Sequence, residues 1–232
     1  MTIVWYNGLD MIQTEPGARW EAILRALLTP EALQSLTKAA KDLYDSLLGR
    51  RPQGIYEVLE HHTTLELLDP RGEVAIVERL QTVRFLQDHI EAFTDHAWGD
   101  GEVFAEYTCS PGVPVDCYQD GSRHTVLISL REVKHRGDVL RFKIRRKVLR
   151  GFLTPNECWE TDVYHRTQEL SVTILFPRER RCRRATVTQR STSKTVVLGP
   201  ENSEFLEDGR QRLTWEIDKP RLHERYALKW EW

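Results

Sequence analysis

The 232-residue sequence lacks any long hydrophobic stretch, and this absence limits where the chain resides. Its apolar runs are only a few residues long, far short of the ~20 that span a bilayer, so we expect no transmembrane helix. The first residues show no basic segment followed by an apolar one, so no secretory signal is expected. The four cysteines are then expected to be free thiols. The sequence thus predicts a cytoplasmic protein with no membrane partner.

Motifs of the common catalytic machineries are also missing. The sequence has no phosphate-binding P-loop, no Gly-x-Gly-x-x-Gly fingerprint, no Gly-x-Ser-x-Gly elbow and no His-Glu-x-x-His zinc helix. It has no Cys-x-x-Cys pair of the kind that structural zinc sites use. Charged residues make up 29% of the chain and hydrophobic residues 40%, which excludes collagen-like and disordered proteins. We therefore predict a globular protein that is not an enzyme and uses no cofactor.

Residues 1–54 are predicted to form a helical N-terminal element. Apolar residues recur at spacings of three and four over residues 18–48, which predicts two short amphipathic helices separated at Thr29-Pro30. Helices of this length are marginal in water, so their apolar faces must pack against the rest of the chain or a partner. The candidate partner-binding leucines are Leu24, Leu28, Leu36 and Leu43.

From Ile55 the hydrophobic period changes from 3.6 to 2, which is typical of strands with one buried face. Asp69-Pro70-Arg71-Gly72 separates two such stretches and predicts a long hairpin. Residues 108–123 form the longest predicted irregular loop. The fold class is therefore mainly β, between all-β and α+β: residues 55–232 form an antiparallel β-sandwich of about eight to eleven strands, preceded by the short two-helix element.

Charge is balanced over the whole chain, with a net charge of −2, but it is unevenly distributed. Residues 131–190 contain 16 basic and 7 acidic residues, a net charge of +9. Two basic clusters in this region are candidate sites for an acidic protein or for nucleic-acid phosphates, although a solvated outer face explains them equally well. Arg141, Lys143 and Arg145 share one strand face, and the next two residues follow a predicted bulge. The full set is Arg141, Lys143, Arg145, Arg146, Lys147, Arg178, Arg180, Arg181, Arg183 and Arg184.

The densest polar cluster spans residues 95–102 and contains two glycines around an aspartate. We favour a turn between two strands there, although a cation or water held by converging carboxylates and an imidazole is the catalytic alternative. That alternative uses Asp95, His96, Asp100 and Glu102. A Cys–His pair at Cys109 or Cys158 is a further option without a distinguishing signal. His61 and His62 are neighbours in a predicted strand, so they point to opposite faces and cannot readily share a metal.

The C-terminal third carries a family resemblance. Residues 170–177 (LSVTILFP), 215–220 (WEIDKP) and 226–232 (YALKWEW) resemble a β-sandwich module that accompanies effector domains in bacterial defence and stress-signalling systems. Those effectors include proteases, TIR domains and nucleotide-binding ATPases. The resemblance covers about residues 160–232, implies a partner-binding or regulatory part, and carries over no catalytic residues. Because this chain has no fused effector, the resemblance implies that any activity belongs to a separate protein.

These observations favour a non-enzymatic interaction protein that acts as an adaptor, regulator or effector target in bacterial antiviral defence or stress signalling. Its expected partner is another protein, such as a protease, nuclease, sigma factor or other effector encoded by a neighbouring gene. One alternative is a nucleic-acid-binding protein that uses the arginine clusters at 141–150 and 178–184. The other alternative is a metal-dependent hydrolase built around residues 95–102.

Overall fold

The computed structural model describes residues 54–232. The predicted two-helix element, together with Leu24, Leu28, Leu36 and Leu43, lies outside the described residues, so its helices and the domain boundary at residue 54 stay predictions. Within the described chain the fold is mainly β, as the alternating pattern predicts. No helix in this part of the chain is long and apolar enough to cross a membrane.

Fourteen strands and one short 3-10 helix (Pro200–Asn202) make up the described chain. The number exceeds the predicted eight to eleven because three edge strands lack a buried face and leave no alternating pattern. The strands are β1 (Tyr56–Leu67), β2 (Val74–Phe85), β3 (Ile90–Ala97), β4 (Glu102–Ser110), β5 (Val113–Asp120), β6 (Arg123–Lys134), β7 (Val139–Leu149), β8 (Asn156–Val163), β9 (Thr167–Phe176), β10 (Arg184–Gln189), β11 (Lys194–Val197), β12 (Ser203–Phe205), β13 (Gln211–Asp218) and β14 (Glu224–Glu231).

The strands form three sheets, none of which closes into a barrel. The large sheet has the order β12-β13-β9-β1-β2-β7-β4, a second sheet has the order β11-β10-β14-β8, and a third has the order β3-β6-β5. Strand pairs are antiparallel, as expected, except for β1 and β9, which run parallel. That exception corrects the prediction of purely antiparallel sheets. The long connection from β1 to β9 lets the chain return in the same direction beside its first strand.

The β1–β2 hairpin is confirmed, and its turn shows how a short sequence fixes the local structure. The Asp69 carboxylate accepts hydrogen bonds from the backbone N–H groups of Arg71 at 2.8 Å and Val74 at 2.8 Å. Burial works against the charged form, but these N–H groups lower the pKa of Asp69. Gly72 has a φ of 73°, and a Cβ there would lie 1.8 Å from the carbonyl oxygen of Phe152. Only glycine fits this corner without movement of the neighbouring backbone.

Two hydrophobic cores cover one face of the large sheet, which we call the inner face. The first core joins the carboxyl end of β1 to the four-stranded sheet, with Leu65 packed in the same cluster as Trp230 and Trp232. The second core joins the amino end of β1 to the three-stranded sheet, with Val58 in the same cluster as Ile128. The long strands of the large sheet therefore run beneath both smaller sheets, and the region between the two cores positions the candidate site.

Residues 108–123 do not form the predicted irregular loop. They contain the end of β4, the whole of β5 and the start of β6. β5 is the edge strand of its sheet and nearly all of its residues are exposed, so it shows no alternation of buried and exposed side chains. The glycines and prolines around it are typical of loops, which explains why the sequence predicts one.

Candidate functional site

A row of polar side chains crosses the inner face between the two cores. The row, which we call the polar belt, occupies positions where the strands carry buried apolar residues on either side. Thr63 lies opposite Arg79, and His61 lies opposite Gln81, in the β1–β2 register. Arg146 of β7 completes the belt, since it lies on the same strand face as the buried Ile144 and Val148. Polar groups on a core-facing surface are costly unless paired, so each requires a partner.

Asp95 of β3 supplies the carboxylate that faces the belt. Its side chain is 1% exposed, and its Oδ1 lies 2.6 Å from Nη2 of Arg79. The Tyr107 hydroxyl donates a hydrogen bond to Oδ2 at 3.0 Å. Burial opposes the charged form of Asp95, but the charges of Arg79 and Arg146 together with these bonds lower its pKa. Asp95 and Arg79 therefore form a buried ion pair at neutral pH.

Arg146 makes no ion pair or hydrogen bond with a carboxylate among residues 54–232, although the Asp95 charge attracts it. Its Nε, like that of Arg79, is inaccessible to water and finds no hydrogen-bond acceptor in this part of the chain. The guanidinium carbon lies 5.6 Å from the ring centre of Phe104 and 5.7 Å from that of Trp159. Cation–π contacts of this kind contribute about 0.5–1 kcal/mol each when partly exposed, and do not replace a charged hydrogen-bond acceptor. Burial is the largest cause that lowers the pKa of Arg146 to about 10; the Asp95 carboxylate opposes this shift and the charge of Arg79 adds to it, and Arg146 stays protonated at neutral pH.

The remaining titratable groups of the belt are neutral at pH 7. Burial is the largest cause that lowers the pKa of His61 to about 3, and the charge of Arg79 adds to it. Burial raises the pKa of Tyr107, with a further contribution from the Asp95 carboxylate. Two guanidiniums therefore face one carboxylate, and the belt carries a net charge of about +1. An anionic group placed beside Arg146 would balance this charge.

The polar belt forms the floor of a cavity of about 1160 Å³. One side is lined by all eight residues of β8, and another by five consecutive residues of β3, Phe93–Ala97. Neighbouring residues of a strand point to opposite faces, so consecutive lining residues mean that the cavity follows the strand edges. The same volume continues around β8 to the outer face of the four-stranded sheet, where Thr186 and Lys229 line it. The space is a groove larger than the 300–1000 Å³ typical of small-molecule pockets.

An aromatic and arginine cluster stands at the rim of this cavity. Arg123 lies 5.5 Å from the ring centre of Trp98 and 5.3 Å from that of Tyr164. Arg225 contacts Asp162 through Nε at 2.6 Å and Nη2 at 2.9 Å, which is a bidentate ion pair. Unlike Arg146, Arg225 therefore has its carboxylate in place. The charged groups of the rim are therefore paired with one another, and the excess positive charge lies on the cavity floor.

The structure divides the first predicted arginine cluster between two faces of β7. The register between β2 and β7 is continuous from residue 139 to 149, so the bulge predicted after Arg145 is absent. Arg146 consequently points to the inner face, while Arg141, Lys143, Arg145 and Lys147 lie on the outer face. Lys143 pairs with a glutamate of β2 at 2.9 Å, and Lys147 pairs with a glutamate of β4 at 3.0 Å. The outer face is therefore a mixture of both charges rather than a purely basic stripe.

The second predicted arginine cluster spans the end of β9 to the start of β10. Arg180 stacks on Trp232 at 3.9 Å and donates hydrogen bonds to the carbonyl oxygens of Pro70 and Thr154. Arg181 lies 4.8 Å from the ring centre of Phe205, Arg178 pairs with Glu179 at 3.8 Å, and Arg183 and Arg184 are exposed. Arg180 thus joins a turn to the C-terminal strand, and only part of this cluster is free for a partner.

The alternative site at residues 95–102 is a turn between β3 and β4, as favoured from the sequence. Asp95 points inward to its ion pair, whereas the next side chain, His96, contacts Thr125. Asp100 and Glu102 are exposed. In the described part of the chain, no three His, Cys, Asp or Glu side chains are grouped so that they could hold a metal ion. The structure does not bring the four predicted ligands together.

The cysteines and the paired histidines also have defined surroundings. All four cysteines are free thiols, as predicted. Burial raises the pKa values of Cys109 and Cys158 to about 11, which disfavours the nucleophilic thiolate at neutral pH. His61 faces the cavity, while Nδ1 of His62 lies 2.7 Å from the Ser171 hydroxyl oxygen. The prediction that the two imidazoles point to opposite faces is confirmed.

Sequence reasoning missed the polar belt, although a signal for it exists. Arg79 and Gln81 stand in phase with Val77 and Val83, so the core-facing positions of β2 are interrupted twice in the middle of the strand. Arg146 interrupts β7 in the same way. Polar residues at core-facing positions weaken hydrophobic packing, so such residues often mark a functional site. The polar residues at core-facing positions could therefore be recognised in the sequence. The sequence does not show that those of separate strands lie next to one another in the fold.

No family model matches the chain, and no characterised protein matches it in sequence. Solved structures with partial similarity include an M1 zinc metallopeptidase from Deinococcus radiodurans, at 9% identity and a TM-score of 0.45. A two-domain M1 zinc metallopeptidase bound to L-arginine matches at 11% identity and a TM-score of 0.45. These matches cover 75–76% of this chain but only 42–43% of the peptidase chains. Similarity at this level identifies neither a family nor an activity.

Proposed function

We propose that this chain is a non-enzymatic interaction protein whose partner presents an anionic group to Arg146 in the groove. One observation carries the proposal: the Arg146 guanidinium lines a large cavity, its Nε has no acceptor among residues 54–232, and the Asp95 carboxylate that attracts it is already in contact with Arg79. A hydrogen bond between charged groups contributes about 1.5–3 kcal/mol, and an unsatisfied buried donor costs a similar amount. A binding protein gains from leaving such a donor unpaired until its partner arrives.

The wider role is an adaptor, regulator or effector target in bacterial defence or stress signalling, in the cytoplasm. Within the segment that carries the module resemblance, Trp230 and Trp232 belong to the first core. A two-layered sandwich, with the large sheet as one layer and both smaller sheets as the other, agrees with the positions of the two cores. A protease, nuclease, sigma factor or other effector encoded nearby is the kind of protein that would carry the anionic group.

Nucleic-acid binding through the arginine clusters is the second candidate, supported by the exposure of Arg141 and Arg145 on the outer face of β7. The ion pairs of Lys143 and Lys147 place carboxylates on that same face, which reduces its attraction for phosphates. Binding to duplex and single-stranded oligonucleotides at two salt concentrations tests this candidate, since phosphate recognition weakens steeply with salt.

The proposed function is tested by selecting a random decapeptide display library against the full-length chain. We expect enriched peptides to share an Asp or Glu at a fixed position, and to lose binding to an Arg146→Met variant. Arg145→Met is the matched control, because it removes the neighbouring charge from the outer face of the same strand. If no acidic consensus emerges, or if both variants bind equally, the groove is not an anion-dependent partner site.

A further inference from the structure

The strand β8 forms one wall of the groove and, within residues 54–232, has a hydrogen-bonded neighbour on one side only. Its partner is β14, and β8 ends the order of the four-stranded sheet. A strand at a sheet edge presents unpaired N–H and C=O groups that another extended segment can bind. Because all eight residues of β8 line the cavity, this free edge faces the groove rather than bulk solvent.

The backbone bonds at both ends of β8 show which groups point to the free edge. The Pro155 carbonyl accepts a hydrogen bond from the N–H of Trp232, and the Val163 carbonyl accepts one from His223. Residues of an antiparallel strand alternate between bonding to one side and to the other. Odd-numbered residues therefore bond towards β14, and the even-numbered residues direct their backbone groups to the groove.

Three of these even-numbered residues remain available for a partner. The carbonyl of Asn156 already accepts a hydrogen bond from the Thr154 hydroxyl at 2.6 Å. For Cys158, Glu160 and Asp162, the backbone N–H and C=O groups form no groove-side hydrogen bond within residues 54–232. Six backbone groups are thus aligned along the groove, enough to hold a short extended segment in one register.

The side chains of β8 relate this free edge to Arg146. Trp159 points to the inner side of its sheet, where its ring lies 5.7 Å from the Arg146 guanidinium. Side chains of a strand added beside β8 would alternate in the same way, so every second side chain would point to the polar belt. The one opposite Trp159 would reach the unpaired guanidinium. Charge complementarity with Arg146 therefore favours a carboxylate at that position.

We infer that an extended acidic segment of a partner protein adds to β8 as a further strand, and that its Asp or Glu side chain pairs with Arg146. This inference rests on the proposed function, because both use Arg146 as the anchor. It adds the binding mode, the conformation of the bound segment and the side-chain pattern. Eight residues of strand extend over about 26 Å, so a segment of roughly six to eight residues fits along β8.

The test uses the full-length chain and a fluorescein-labelled peptide, acetyl-Thr-Val-Thr-Glu-Val-Thr-Val-amide, with anisotropy as the readout. Replacing the central Glu by Gln is expected to weaken binding at least tenfold. N-methylation of alternate backbone nitrogens on the β8-facing side is expected to weaken it at least tenfold, and N-methylation of the other set to leave it unchanged. On the protein side, hydrogen exchange at Cys158, Glu160 and Asp162 is expected to slow when the peptide binds.

A pair of protein variants tests the same edge. Cys158→Pro removes one groove-facing N–H from an edge strand, where proline is tolerated, whereas Cys158→Ala keeps it. We expect Cys158→Pro to bind the peptide at least tenfold more weakly and Cys158→Ala to bind normally. Circular dichroism checks that both variants fold. If the proline variant does not fold, the N-methylated peptides provide the same test on the unaltered chain.

The outcomes separate this inference from the proposed function. Loss of binding in Arg146→Met without any effect of N-methylation would overturn strand addition and leave the anionic partner site standing. Peptide binding that is insensitive to Arg146→Met would overturn both. Binding that appears only after deletion of residues 1–53 would identify the chain itself as the occupant, and concentration-dependent protection of β8 without peptide would identify a second copy. Either result would refute the partner segment.

Discussion

Replacing the two guanidiniums of the polar belt by methionine should change stability by very different amounts. In Arg79→Met, the buried Asp95 loses the ion pair that Arg79 Nη2 makes with its Oδ1 at 2.6 Å. Removal of one partner from a buried pair costs about 3–5 kcal/mol, because the other charge stays buried without compensation. For a domain of this size, that loss lowers the Tm by roughly 10 °C.

Arg146→Met removes a charge that has no such partner. It relieves an unsatisfied buried donor, worth about 1–3 kcal/mol, and loses two ring contacts worth about 0.5–1 kcal/mol each. Methionine keeps most of the apolar stem, and the variant also loses the attraction between Arg146 and Asp95, so the net change should lie within about 1 kcal/mol of zero.

Thermal unfolding followed by circular dichroism, without peptide or other ligand, measures both effects. Arg145→Met serves as the control, since an exposed charge on the outer face should change stability by no more than about 0.5 kcal/mol. If Arg146→Met destabilises the protein as strongly as Arg79→Met does, Arg146 is a structural member of the Asp95 network. The argument for an unmatched charge in the groove would then fail.

Two further predictions concern pH and the second arginine cluster. Because the pKa of His61 is about 3 in the folded chain against about 6.5 when unfolded, the unfolded state binds more protons between these values, and stability falls as pH drops below 6.5. One titrating group can change stability by at most about 1.4 kcal/mol per pH unit, and urea titrations at pH 7 and pH 5 should show a smaller difference in His61→Gln than in the unchanged chain. Arg180→Ala should cost about 1–3 kcal/mol, through the loss of its stack on Trp232 and two carbonyl hydrogen bonds. Arg183→Ala should cost almost nothing in the same urea titration, and equal losses would contradict the structural role of Arg180.

Local sequence patterns determined much of the strand structure. Alternation identified β1, β2, β6, β7, β9, β13 and β14, because each of these strands has one buried face. The turn at Asp69 could also be predicted from the sequence, since its carboxylate accepts hydrogen bonds from backbone N–H groups only a few residues away. Strand β5 could not be predicted, because an exposed edge strand has no buried face and the glycines and prolines around it indicate a loop.

The orientation of Arg146 depended on strand register, which the local sequence left open. A bulge after Arg145 would have turned Arg146 to the outer face, and only the continuous pairing of β2 with β7 shows that it points inward. The parallel pairing of β1 with β9 could not be predicted from the local sequence either, because it joins segments about a hundred residues apart.

The sequence by itself determined that this protein is rich in strands, that it carries no common catalytic motif and that its charge is unevenly distributed. Only the tertiary structure decided that Arg79, Asp95 and Arg146, from three separate strands, meet on the floor of one groove. It also decided that Asp95 contacts Arg79, while Arg146 forms no ion pair within residues 54–232. The physical reason is that strand alternation is a local property, whereas the matching of buried charges depends on which distant strands become neighbours.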